Sequence, residues 1–154
     1  MTMKLKEYAV MGHWQDVMNQ MKDDAFQREA IPFVNTLNLP PVKEWEPGYV
    51  LMEWVVDPKL FHPREAVFGG FIAALADRAL GAVTISTLND GEAFTTADLN
   101  VSFFRPVSSG ILRIEARVIH RGRSLVQAEA EFYREDGKLS NKASAAQAII
   151  PHKT

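Results

Sequence analysis

The chain contains no cysteine. That one absence excludes a disulfide scaffold, a thiol nucleophile and a thiolate metal site together. Histidine is scarce as well: His13, His62, His120 and His152 are scattered, with no spacing that brings two of them to one metal ion. Neither sign of charge dominates. The 17 basic and 19 acidic residues leave a net charge of −2 with both signs interspersed, which argues against nucleic acid as a main partner. An uninterrupted apolar run of membrane length is also lacking. The most apolar stretch, 66–88, reads AVFGGFIAALADRALGAVTISTL and carries Asp77 and Arg78 at its centre, so it is expected to be a buried helix and not a membrane span. The opening MTMKLKEYAV is too polar for a signal peptide. What remains is a chain of 154 residues, expected to be cytoplasmic and to form a single domain over 1–154. An N-terminal helical extension over about 1–30 and a core over about 31–151 are expected within it. A domain of this size buries about 68–70% of its unfolded surface and needs no cross-link to fold.

What is present is periodicity. Trp14, Val17, Met18 and Met21 fall on one face of a short amphipathic helix within 11–22. The segment NLPPVKEWEPG (38–48), with three prolines and a glycine, reads as loop. Tyr49 to Val56 alternates as a strand, and Lys59 to Glu65 reads as a loop leading to Gly69-Gly70. One long helix is expected from about Gly69 to about Thr87, roughly 27 Å long. The turn Asn89-Asp90-Gly91 follows. Strand patterns then cover Thr95–Phe104, Ile111–His120, Leu125–Arg134 and Leu139–Ile150, read as a meander. The plan is α+β: an antiparallel sheet curled around one long central helix, with charges on its outer face.

An ionised carboxylate within so apolar a helix is costly unless it is paired or hydrogen-bonded, which marks Asp77 as a candidate for chemistry. Gly70, Ala73, Ala74 and Gly81 share its helical face, and all are small enough to admit a backbone or a ligand. The Gly69-Gly70 pair leaves bare N–H groups at the positive end of the helix, a candidate oxyanion site. Seven residues separate Gly70 from Asp77, roughly 10 Å along the axis, too far for both to act on one small group. Two such helices side by side about a two-fold axis would set Asp77 of one against Gly70 of the other and create two equivalent sites.

The strings GGFIAALADRALGAV, TTADLNVSFFRP and G-x-L-R-x-E-A-R-V-x-x-x-G-R-S, with an acidic strand ending in DGKL, resemble the PaaI-like branch of the hotdog-fold thioesterases over about Tyr49 to Ile150. The resemblance implies a five- or six-stranded antiparallel sheet around the helix and a homodimer or homotetramer. It also implies hydrolysis of an acyl-CoA to free acid and CoA, with no metal and no cofactor beyond the CoA of the substrate. By resemblance Asp77 is the catalytic carboxylate, as base or as nucleophile, and Gly70, beside Gly69, supplies the amide that polarises the carbonyl. Thr96 helps to hold the water, and Arg121 and Arg123 meet the CoA nucleotide and phosphates; their other reading is solvated hairpin charge.

Two positions depart from the family pattern. Phe68 stands where a His commonly precedes the glycine pair, and His62 stands where an Asn is common. Phe68 cannot hydrogen-bond a carbonyl, whereas His62 can replace part of that polarity. The alternative reading is therefore a non-hydrolytic acyl-CoA-binding protein of the same fold. A hotdog dehydratase fits less well, because no His lies near Asp77 in sequence. Phe61, Phe68, Phe71, Phe103 and Phe104 either line an acyl pocket or fill the core.

Overall fold

The computed structural model describes residues 14–152. The expected helical residues 11–13, with His13, and most of the 1–30 extension's first half lie outside the described residues. Helix α1 (Trp14–Gln20) buries Val17 and Met18, and Met21 just beyond it is buried too, as their spacing requires. Two further helices follow that the sequence reading did not separate. Asp23 does not simply end α1. Its carboxylate accepts the Phe26 N–H at 3.0 Å and caps α2 (Asp24–Ala30). Pro32 then opens α3 (Pro32–Leu37), and Asn38, left-handed at φ 52°, closes it.

The segment 38–48 is not all loop. It contains β1 (Val42–Glu46), paired antiparallel with β2 (Tyr49–Val55). Pro40, Pro41 and Pro47 bracket β1 and leave its own backbone free to pair, and β1 stands at the sheet edge. A 3₁₀ turn (Pro58–Leu60) and a two-residue ladder, β3 (Phe61–His62) with β4 (Ala66–Val67), lead into α4 (Gly69–Ile85). Strands β5 (Glu92–Phe103), β6 (Ile111–Arg121), β7 (Leu125–Tyr133) and β8 (Leu139–Pro151) complete the chain.

The six strands of the main sheet lie in the order β1-β2-β6-β7-β8-β5, every neighbouring pair antiparallel. Only β6-β7-β8 is a meander. The expected four-strand meander is corrected at β5, which pairs with β8 on the far side, while β6 pairs with β2. The β2–β6 register sets Glu53 opposite Arg113 and Trp54 opposite Leu112, a charge pair on one face and an apolar pair on the other.

Helix α4 packs across the inner face. Val50, Met52 and Trp54 of β2, Leu112, Ile114 and Ala116 of β6, Val126, Ala128, Ala130 and Phe132 of β7, and Ala143 and Ala145 of β8 are all buried there. The alanines of the central strands leave room for the helix to approach. This is the hotdog arrangement, with three short α-helices beside the long one among the described residues. Within α4, the residues that are not buried are Gly69, Gly70, Ala73, Ala74, Asp77, Gly81 and Ile85. They form one stripe, spaced by three and four, along the helix's one open face. Among the described residues no helix is long and apolar enough to cross a membrane.

Candidate active site

Asp77 is exposed on that stripe, so the desolvation cost its sequence context threatened is avoided by orientation. The Thr96 hydroxyl donates to Asp77 Oδ1 at 3.1 Å. The two residues come from different elements, α4 and the edge strand β5, and the bond fixes the carboxylate against the strand. The neighbouring Arg78, about 100° round the helix, turns inward. It is 8% exposed, and its guanidinium donates to Gln27 Oε1 of α2 at 3.0 Å.

Gly69 and Gly70 form the first two positions of α4, and their N–H groups meet no acceptor among the described residues. Phe68 is the N-cap. Its carbonyl accepts the Phe71 and Ile72 N–H groups, but its side chain offers no cap bond. The Phe68 ring instead lies over Gly70, where a Cβ would fall 2.7 Å from its Cε2. The Phe103 ring lies over Gly69, where a Cβ would fall 3.1 Å from its Cζ. A ring thus stands close over each glycine, and the bare amides open beside two phenyl groups.

His62 does not approach Asp77's groove. Its Nδ1 accepts the Arg64 N–H at 3.1 Å, and it borders a separate cavity of about 270 Å³ with Gly69, Phe103, Phe104 and Asn141. Arg121 is engaged within the fold: it pairs with Glu92 and donates from Nε to the Thr87 carbonyl at 3.3 Å. Arg123 is exposed in the β6–β7 turn. The structure therefore brings Asp77 and Thr96 together, sets Gly69, Gly70 and Phe68 at the far end of the same stripe, and separates Arg121 from Arg123 in role.

Asp77 and Thr96 stand in a groove of about 380 Å³ that continues over Gly81 and Ile85 and is walled by Phe94, Phe33 and Leu37. Of the phenylalanines weighed from the sequence, Phe71 is core. Phe103 and Phe104 are exposed beside the second cavity. The aromatics of the Asp77 groove are Phe33 and Phe94, which sequence reasoning missed. The signal was present for one of them: Phe94 precedes Thr96 by two positions and so shares its face of the strand.

Residues 65–141 match the thioesterase superfamily. The proofreading thioesterase EntH of Klebsiella pneumoniae is 33% identical over 105 residues, covering 68% of this chain and 77% of that protein. The matched part spans just under two thirds, 64% and 65%, of two other curated relatives. A crystal structure of a phenylacetic acid degradation-related protein from Ralstonia eutropha is 29% identical, with a TM-score of 0.70, over 78% of this chain and 90% of that one. The structure of smu.793 from Streptococcus mutans, bound to acetyl CoA, shares the fold at 23% identity and a TM-score of 0.68, over 73% of this chain and 90% of that one. With an acid presented on the open face of the central helix, a glycine pair at its start and a family match across both, the chain belongs to the thioesterase superfamily, with the hotdog fold of the PaaI-related proteins.

Proposed function

We propose that this protein hydrolyses acyl-CoA thioesters to the free acid and CoA, with Asp77 as the catalytic carboxylate. The observation that carries the reading is the placement of Asp77: a single acid on the one open face of a buried helix, held by Thr96, at the mouth of an apolar groove. Asp77 takes a proton from water as the water oxygen bonds to the thioester carbon. Charge develops on the carbonyl oxygen, and a Gly70 N–H receives it. The tetrahedral intermediate collapses with cleavage of the carbon–sulfur bond, and the CoA thiolate leaves and is protonated. In the nucleophilic variant Asp77 itself bonds to the carbonyl carbon, the carbon–sulfur bond breaks and the CoA thiolate leaves, and water then opens the mixed anhydride to the free acid and the Asp77 carboxylate.

The site is completed by a second copy of the chain. Gly70 and Asp77 of one copy are roughly 10 Å apart along α4, and β5 is an edge strand whose outer side has no partner among the described residues. A two-fold dimer that pairs these edges sets the Asp77 of one copy before the Gly70 amide of the other. Arg123 is the arginine left to meet the CoA phosphates, because Arg121 is occupied by Glu92. The absence of cysteine accords with a cytoplasmic enzyme.

The test is thiol release from an acyl-CoA panel by the protein and by Asp77→Asn. Parental turnover by that variant sinks the assignment. Mixing Asp77→Asn with Gly70→Pro, which removes the N–H, tests the shared site. Hybrid dimers hold one intact site and regain activity that neither variant has alone.

A further inference from the structure

The groove beside Asp77 has a floor, two walls and a direction. Its floor is the stripe of α4 from Asp77 through Gly81 to Ile85. One wall is β5, whose register matches the helix: Thr96 bonds Asp77, and two residues earlier Phe94 lies over Gly81, where a Cβ would fall 3.3 Å from the Phe94 Cζ. The other wall is α3, which contributes Phe33 and Leu37 at i and i+4. These two side chains are 54% and 40% exposed, while Val34 between them is fully buried. Two large apolar groups standing in water on one short helix, aimed at one groove, are a surface that a ligand covers.

Resting on the thioesterase reading, we propose that this groove is the acyl subsite, that it takes an uncharged apolar acyl chain of about eight to ten carbons, and that Phe33, Leu37 and Gly81 set the length. The floor sets the length. From Asp77 to Ile85 the helix rises about 12 Å, and an extended alkyl chain advances about 1.25 Å per bond at ordinary carbon geometry, which gives nine or ten carbons. The groove, of about 380 Å³, has room for a chain of that length. Polarity gives the class. Apart from Asp77, Thr96 and the Arg78 already bonded to Gln27, the lining is apolar, so a hydroxylated or carboxylated chain end would lose its water without replacement. Phe33 and Leu37 of the α3 wall lie outside the residues 65–141 that match the family, whereas Gly81 and Phe94 lie within them.

The experiment measures kcat/KM for straight-chain acyl-CoA from two to sixteen carbons, with Gly81→Val and Phe33→Ala beside the parent. The parental profile peaks at eight to ten carbons. Gly81→Val, which raises the floor, lowers the ten-carbon to four-carbon ratio at least tenfold, and Phe33→Ala raises the relative rate for fourteen carbons. A second arm reads binding without turnover: calorimetry of decanoyl-CoA and butanoyl-CoA on Asp77→Asn shows at least tenfold tighter binding of the longer chain, erased by adding Gly81→Val. Should Asp77→Asn abolish turnover while neither groove variant moves the profile, the acyl group lies elsewhere and the thioesterase reading stands. Should Asp77→Asn keep parental turnover, that reading falls and the binding arm still decides the groove. If Gly81→Val does not fold against Phe94, Phe33→Ala, at an exposed position, decides alone.

Discussion

Thr96 donates a 3.1 Å hydrogen bond to Asp77, joining the edge strand to the open face of the central helix. The acceptor is charged but the pair stands in solvent, so the bond orients the carboxylate more than it stabilises the fold. Thr96→Val keeps the shape and removes the donor. Turnover of a good acyl-CoA is expected to fall roughly tenfold to a hundredfold, with little change in unfolding temperature because the residue is exposed. Steady-state kinetics beside a thermal melt checks both.

Asp77→Asn removes the carboxylate proposed as the base and keeps the volume. The expected loss is about 10²–10⁴-fold in kcat. The melt should stay near that of the parent, because Asp77 is exposed and contributes no buried contact. Loss of folding together with activity would reassign Asp77 to structure.

Gly70→Ala places a methyl 2.7 Å from the Phe68 ring, which must swing aside. The ring is 43% exposed, so the move is cheap, and Ala is favoured over Gly within a helix by roughly 0.5–1 kcal/mol. Unfolding temperature is therefore expected to change little while turnover falls, because the displaced ring alters what stands beside the amide. Combining Gly70→Ala with Phe68→Ala should recover part of the activity, a non-additive pair measurable in one double-mutant cycle.

Gln27→Leu takes an acceptor from the buried Arg78 guanidinium. The expected cost is about 1.5–3 kcal/mol, a fall of several degrees in unfolding temperature for a chain of this size. A melt unchanged from the parent would show that the bond adds nothing to stability.

Asp136, in the β7–β8 turn, is held at a pKa of about 2 by the hydrogen bond from Arg134 and by the Lys138 N–H. A carboxyl depressed in the folded state stabilises above its unfolded value near 3.8, and that contribution fades as pH falls toward 2. Asp136→Asn should thus be slightly less stable than the parent at neutral pH, with the gap narrowing as pH falls to 2. Denaturant midpoints at the two pH values test the sign.

Much of this architecture is legible in the sequence because burial repeats with a fixed period. Leu112, Ile114 and Ala116 in β6, and Val126, Ala128, Ala130 and Phe132 in β7, alternate as read and are buried as read. What escaped has particular causes. Helices α2 and α3 span only 7 and 6 residues and depend on the Asp23 cap and on Pro32, local chemistry that no apolar periodicity reveals. Strand β1 hides between prolines. The place of β5 escaped because alternation gives a strand its faces but not its neighbours. Asp77 looked buried because Gly and Ala count as apolar in composition; here they mark the exposed stripe, kept small to leave space. The groove was illegible because its second wall comes from α3, some forty residues earlier in the chain than Asp77.

Asp77 and Arg78 are adjacent in sequence, and consecutive residues on a helix diverge by about 100°. One faces water and the other is clasped from behind by Gln27. The buried charge thereby acts as a key in a slot: it sets the azimuth of the whole helix, because any rotation that turned the acid off its line would drag the guanidinium from its acceptor. The aim of the Asp77 carboxylate is thus governed from a quarter turn round the helix, by an arginine bonded to a glutamine of α2.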